Sequence, residues 1–321
     1  MFRQPLRSVA RRLPVVGAYE RRIAELTTEV HRLGGGSRTG PVRMFDFRPS
    51  GHYYSPDPDL EQLRPRRDQL FAVDPCNLPG VDVRWEAQQA LFEELAERAG
   101  EVPFEEHEAP GQRYWFDNHS YAYGDGLFLH LMLRWLQPRR IIEVGSGHSS
   151  ACMLDTMAGF LKPGVRATFI DPYDELLRSL LRPGDEERVE ILALPVQDVP
   201  LERFEELEAG DLLFIDSTHV VKLGSDVNHL LFEVLPRVRP GVVVHLHDVF
   251  PGFEYPWEWH EEGRVWTETY LLRAFLMFNP AFEVLLWPPL AARVRPDWFF
   301  ERFPMAQHNS GGSLYLRRRP D

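Results

Sequence analysis

The densest chemical signal in the chain is the run Glu143-Val144-Gly145-Ser146-Gly147-His148-Ser149-Ser150, which follows the apolar pair Ile141-Ile142. A short buried strand running into a glycine turn and then a helix lets backbone N–H groups approach a ligand closely, at the positive end of the helix. Ligands of open α/β sheets sit beyond the carboxyl ends of the strands. Three enzyme chemistries fit such a turn. A nicotinamide dinucleotide site requires G-x-G-x-x-G; here Ser150 holds the sixth position, while Asp171 could take a ribose. An ester hydrolase would use Gly147-His148-Ser149-Ser150-Ala151 as a nucleophile elbow with Ser149 as nucleophile, but no HGGG-type oxyanion segment accompanies it.

The third chemistry, an S-adenosylmethionine site, explains more than the turn. Glu143, at the strand end, can accept from the ligand's ammonium or order the loop. Gly145 and Gly147 permit close backbone approach, with Ser146 and Ser149 as further contacts. Asp171 can take both ribose hydroxyls, because a carboxylate accepts two hydrogen bonds. Gln197 and Asp198 follow a third strand, where a side chain can accept from the adenine amino group. Asp216 closes a fourth strand beside the reacting methyl. Polar or acidic groups at four successive strand ends, behind one glycine turn, form a set that isolated loop acids would not make.

The elements that must position these residues read as alternating strands and helices. A helix from Asp125, read as its cap, runs to Gln137 and stops at Pro138. Strands are expected at 141–144, 167–170, 189–196, 212–215 and 242–246. Helices are expected at 150–160, 174–181 and 201–209, and from Ser225 to Pro236. Five strands alternating with helices imply a parallel, doubly wound, Rossmann-like α/β sheet. A helix at 267–278 and two late strands, 282–287 and 313–317, complete the chain. Three segments are expected: a basic helical arm with a Gly-rich linker (1–40), an N-terminal cap containing a helix at 86–99 (41–112), and the catalytic fold (113–321).

Taken together, these motifs resemble the class I S-adenosylmethionine-dependent methyltransferases, in particular the bacterial branch of macrocin-type sugar O-methyltransferases. The resemblance rests on Glu143 to Ser150, Phe169-Ile170-Asp171-Pro172, Val196-Gln197-Asp198, Leu213-Phe214-Ile215-Asp216-Ser217-Thr218-His219 and Gly241 to Val249. Gly51–Pro56 also looks like what precedes the fold in such proteins. The resemblance implies a seven-stranded mixed sheet with an antiparallel last strand, S-adenosyl-L-methionine as methyl donor, and a small-molecule or glycosylated acceptor.

The donor is already activated, so an alcohol acceptor needs only orientation and a base or a metal to make it nucleophilic. His219, three residues past Asp216, is the candidate base. In His245-Leu246-His247-Asp248 the two histidines share one strand face; His247 is a second candidate, as base or as the residue that orients Asp248. Metal-dependent relatives place an acid at the fourth strand end and an acidic pair after the fifth. Asp216 and Asp248 match the outer two positions, and His247 stands where an acid is usual. Hard cations prefer oxygen ligands, so a divalent metal on Asp216, His247 and Asp248 would be a softer one such as Mn²⁺, Fe²⁺ or Zn²⁺. The loop from Phe250 to His260, with Tyr255, Trp257 and Trp259, suits stacking on a sugar or another ring, and about half of it reads as a hydrophobic plug. Tyr53 and Tyr54 could close over the site.

Composition narrows the partners. The chain has 48 Asp+Glu against 36 Lys+Arg, net −12, which disfavours nucleic acid because phosphate neutralisation needs Lys and Arg. The first 36 residues hold seven Arg and three Glu, so a +4 arm precedes a body at −16; the arm reads as a frayed terminal helix first, and as a route to a partner, an anionic surface or a homo-oligomer second. Two Cys cannot make a disulfide framework, which suits a reducing cytoplasm. No apolar run approaches the ~18 residues of a membrane span. A donor-binding subunit with no transfer activity remains the reading of another class.

Overall fold

The computed structural model describes residues 51–72 and 74–320. The expected basic arm and its linker lie outside the described residues. Two compact units divide at 64/65. In the first, Asp59 caps the short helix Leu60–Leu63 by accepting from the Gln62 N–H at 3.0 Å, and Tyr53 and Tyr54 are exposed.

The second unit carries the sheet. Its order is β3-β2-β1-β4-β5-β7-β6, with β1 Arg140–Val144, β2 Arg166–Ile170, β3 Val189–Leu192, β4 Leu212–Ile215, β5 Val243–Leu246, β6 Phe282–Leu286 and β7 Leu314–Arg318. The first five strands are parallel, and β7 runs antiparallel between β5 and β6. The expected mixed sheet with an antiparallel last strand is therefore the observed one. The central strands are fully buried, which is why they read as continuous apolar runs rather than alternating ones.

Alternation still sorts their side chains. Ile141, Leu212, Phe214 and Val243 enter the core on one face. Ile142, Val144, Leu213, Ile215, Val244 and Leu246 enter the core on the other. The second unit's helices include α1 Trp85–Ala96, α2 Gly124–Leu136, α3 His148–Gly159, α4 Glu175–Leu180, α5 Asp226–His229, α6 Glu268–Leu276, α7 Pro288–Val294 and α8 Pro296–Arg302. α2 and α3 share the first core, and Leu272 of α6 lies in the second. α1 is integral to the same unit: its Phe92 meets Phe128 and Phe299 edge-on, each at 5.7 Å.

Several expected boundaries move for local reasons. β3 ends at Leu192, because the chain turns through Pro195 into a 3-10 turn at Val196–Asp198. Ser225 does cap its helix, accepting from the Asn228 N–H, but the helix passes into a π segment at Leu230–Val234 before Pro236. Asp125 does not cap α2. Tyr123 holds that position, and Asp125 lies in the first turn with its carboxylate turned inward. α7 and α8 begin at Pro288 and Pro296, where a missing N–H costs nothing because first-turn N–H groups have no intrahelical acceptor.

The strand ends are level. Val144 pairs with Ile170 and Ile215, Ile170 with Leu192, and Ile215 with Leu246. The next residues stay tied to the sheet: Gly145 N–H donates to Ile170 O, Asp171 to Leu192 O, Asp216 to Val144 O and His247 to Ile215 O, at 2.9–3.1 Å. The polar residues that follow four strands thus share one rim, where the strand order reverses between β1 and β4.

Gly145 is the tightest point on this rim. Its φ is +84°, and a Cβ there would fall 1.7 Å from the Asp216 carbonyl oxygen. Gly145→Ala is therefore expected to destabilise the protein by at least about 2 kcal/mol, through left-handed strain and the clash together. Urea unfolding checks this, and a wild-type midpoint would contradict the packing described.

Candidate active site

A cavity of about 420 Å³ opens over the level strand ends. Gly145 and Ser146 line it from β1, Asp171 and Tyr173 from β2, Gln197 after β3, and Asp216, Ser217 and Thr218 after β4. Lys222 and Asp226 complete the far wall. Glu143, Gly147, Ser149 and Asp198 do not line it. Ser146 donates to Asp171 Oδ2 from both its N–H and its hydroxyl, each at 2.8 Å, and Tyr173 N–H donates to Oδ1 at 2.8 Å. This holds the Asp171 carboxylate at the cavity wall with one Oδ1 lone pair uncommitted. Gln197 donates from Nε2 to Gly224 O at 2.9 Å, which leaves its carbonyl oxygen available.

Glu143 lies behind this wall, fully buried. Its two oxygens meet the hydroxyls of Ser149 and Ser150, the latter at 2.6 Å, and Gly147 N–H donates to Ser150 Oγ at 3.1 Å. Burial raises the Glu143 carboxyl to about 8, against the lowering effect of the two serines, so it is mostly protonated at neutral pH. The carboxyl thus ties the strand end to the start of α3. Ser149 is buried and engaged by Glu143, which leaves it no nucleophile's geometry.

The second cluster stands where β4 and β5 end. The His219 ring has Nε2 3.3 Å from Asp216 Oδ1 and 3.6 Å from Asp248 Oδ2, and Nδ1 2.8 Å from Glu268 Oε2. Trp266 packs on the ring with centroids 4.5 Å apart. Burial disfavours the imidazolium, but the bonds to Asp216 and Glu268 outweigh it and lift His219 to about 10. Asp216 moves oppositely: burial would raise it, yet His247 and His219 bring it down to about 2.

His247 lies between Asp125, 3.8 Å from its Nδ1, and Asp248, 3.6 Å from its Nε2. Asp125 in turn accepts from the Gly312 N–H at 2.8 Å and the Ser313 hydroxyl at 3.1 Å. His245, on the same strand face as His247, stacks on Phe214 at 3.9 Å and has no hydrogen-bond partner on either nitrogen. Burial holds it neutral.

Asp216, His247 and Asp248 do not fit a metal ion as they stand. The two carboxylates face the His219 imidazole, and among the described residues no group of three or more His, Cys, Asp or Glu side chains is placed to hold a cation. The aromatic loop divides as its composition suggested. Phe253, Tyr255 and Trp257 are buried, whereas Phe250 and Trp259 are half-buried. Arg264 lies over Trp259 at 4.6 Å.

Glu268, Asp125 and Trp266 are the site residues that sequence reasoning missed. Glu268 reads in sequence as an ordinary acid in the first turn of a helix, and Asp125 as a helix cap. No local pattern marks either as a partner of a distant histidine.

A family model described as a methyltransferase domain matches residues 142–249, a stretch from within β1 to just past β5. An uncharacterised protein of Archaeoglobus fulgidus is 31% identical over 165 residues, covering 50% of this chain and 73% of that protein. The match to the methyltransferase domain spans about a third of the chain. Among solved structures, the chain is similar to the O-methyltransferase TomG of Streptomyces achromogenes in complex with SAM, at 18% identity and TM-score 0.39, covering 71% of this chain and 89% of that one. It is also similar to an O-methyltransferase from Bacillus cereus in complex with SAH, at 17% identity and TM-score 0.40, covering 72% and 91%.

The Glu143 tie makes a stability prediction. Removing the carboxyl strands two buried hydroxyls, so Glu143→Ala should cost about 1–3 kcal/mol. Glu143→Gln, which keeps an acceptor and a neutral side chain, should cost clearly less. Equal urea midpoints for the two variants would refute this account of the turn.

Proposed function

We propose that the protein is an S-adenosylmethionine-dependent methyltransferase that acts on an oxygen of a small or glycosylated acceptor, with His219 as general base. The observation that carries the reading is His219 Nε2, placed at the rim beside Asp216 while Nδ1 is committed to Glu268. The residues lining the cavity suit S-adenosyl-L-methionine: Asp171 for the ribose hydroxyls, Gln197 for the adenine edge, and the Gly145–Ser146 backbone for the amino-acid end. When bound there, the donor supplies a methyl group already activated by its sulfonium. The chain's own part is to hold the acceptor in line and to take its hydroxyl proton on Nε2. The half-buried rings of Phe250 and Trp259 are the candidate stacking surface for the acceptor.

No step is assigned to a metal, because the Asp216 and Asp248 carboxylates face His219. Free Cys76 and Cys152 support a cytoplasmic place of action. Among the described residues no helix is long and apolar enough to cross a membrane.

Two experiments test the reading. Calorimetric titration with S-adenosylmethionine should give binding that Asp171→Ala weakens at least about tenfold, the scale of one lost charge-assisted hydrogen bond; an unchanged affinity places the donor elsewhere. Donor binding with no transfer to any member of a panel of phenols, catechols and glycosides would point instead to a donor-binding partner subunit.

The second experiment is the pH profile of turnover. A base must be neutral to accept a proton, and His219 is lifted to about 10. Turnover should therefore rise about tenfold per pH unit between roughly pH 7 and 9 and level off only above about pH 10. His219→Ala should lose the slope along with most of the rate. A flat profile in the wild type removes His219 as the base.

A further inference from the structure

We infer that Glu268 is a positioning residue for the transfer: it fixes which nitrogen of His219 faces the rim, and in what orientation. The inference rests on the reading of His219 as base but stands on separate geometry.

The start of α6 grips the loop after β4 at several points. The backbone N–H groups of Thr267 and Glu268 both donate to the His219 carbonyl, at 2.9 and 3.1 Å. Thr267 Oγ1 accepts from Val221 N–H at 2.8 Å. The Glu268 carboxylate, 2% exposed, takes Nδ1 of the same histidine at 2.8 Å. Trp266 covers the ring. His219 itself sits at φ +59°, a left-handed conformation that a non-glycine residue holds only when its surroundings enforce it.

One short segment, 49 positions away in sequence, therefore holds both the backbone and the side chain of the proposed base. A carboxylate can only accept at Nδ1, so Nδ1 must carry a proton. Nε2 is then the single nitrogen able to gain or lose one toward Asp216, Asp248 or an acceptor. This is the logic by which an acid behind a histidine selects its tautomer. Asp216 and Asp248 cannot do the same, because both lie on the Nε2 side.

The test uses full-length protein labelled with ¹⁵N-histidine and saturated with S-adenosylhomocysteine. In the wild type, the His219 signals, assigned by loss in His219→Ala, should show a protonated, hydrogen-bonded Nδ1. Glu268→Ala should abolish that Nδ1 signature and lower turnover about 100-fold, the scale of an ångström's misplacement of a reacting group. Donor affinity should stay within about twofold, and the His130 and His148 signals should not move. Glu268→Gln guards against misfolding: it keeps the side-chain volume, and it should also change the Nδ1 signal because an amide can donate where a carboxylate cannot. Unchanged His219 signals in a folded variant overturn the inference. So does a rate loss of the same size when Glu268→Ala is made in the His219→Ala background, since a residue acting through His219 has nothing left to act on. Undiminished turnover in His219→Ala alone would instead remove the base assignment, and the nitrogen signals would still decide whether Glu268 orients the ring.

Discussion

Four carboxyl groups and two imidazoles are packed together at the carboxyl edge of this sheet, and charges can persist there only because each has an opposite neighbour. Burying an unpaired charge costs several kcal/mol even after relaxation. His219 meets that constraint with Asp216, Asp248 and Glu268 around it. The effect is clearest in two acids of similar position, Glu143 buried and Asp216 half-buried at the cavity. Asp216 and Glu143 both sit at the ends of central strands. Asp216 has imidazoles beside it and is held down to about 2. Glu143 has only hydroxyls and rises to about 8. Neighbours, not burial alone, decide which acid is a charge and which is a structural hydrogen-bonding group.

The sheet makes this assembly possible by ending its strands together. Because Val144, Ile170, Ile215 and Leu246 stay in register, the residues after them cannot avoid one another. The close approach of Gly145 to the Asp216 carbonyl follows from the same register. The glycine serves β1–β4 packing first, and access for a ligand second. By contrast, a Cβ at Gly147 would meet only Leu176, at 3.8 Å. Two glycines that look alike in the sequence motif thus carry different constraints.

The parts of the fold legible in the sequence are those set by local pattern. The strands 141–144 and 212–215 are apolar runs bounded by turn residues, and they stand within a residue of where they were expected. The rim residues Gly145, Asp171, Gln197 and Asp216 were legible because each directly follows a strand or its turn. What stayed hidden depends on distance in sequence. Glu268 meets His219 from 49 residues away, and Asp125 faces His247 from the first turn of α2. Asp125 shows how a local rule can mislead. An acid just before an apolar helix normally caps it, but here its carboxylate is claimed by the Gly312 N–H and the Ser313 hydroxyl of the β7 approach. The early end of β3 was hidden for a smaller reason, since Val189 to Val196 is apolar enough to continue and only the turn through Pro195 stops it.

Three histidines at this edge differ by how far each reaches. His245 and His247 share a strand face, as period two requires, with ring centroids 5.9 Å apart. His245 lies one layer deeper, flat on Phe214 and against Tyr315, where burial outweighs the pull of Asp216 and holds it neutral. His247 reaches the acids at the strand end, and its affinity for a proton rises despite burial. His219 comes from the neighbouring loop, beyond the last residue of β4, and stands among three carboxylates. Proton affinity is thus lowered in the sheet interior and raised for the two histidines that reach the acids. A group that exchanges a proton with a bound molecule needs both the affinity and the access. His219 has a raised affinity and lies next to Asp216, the one acid of the cluster that also lines the cavity.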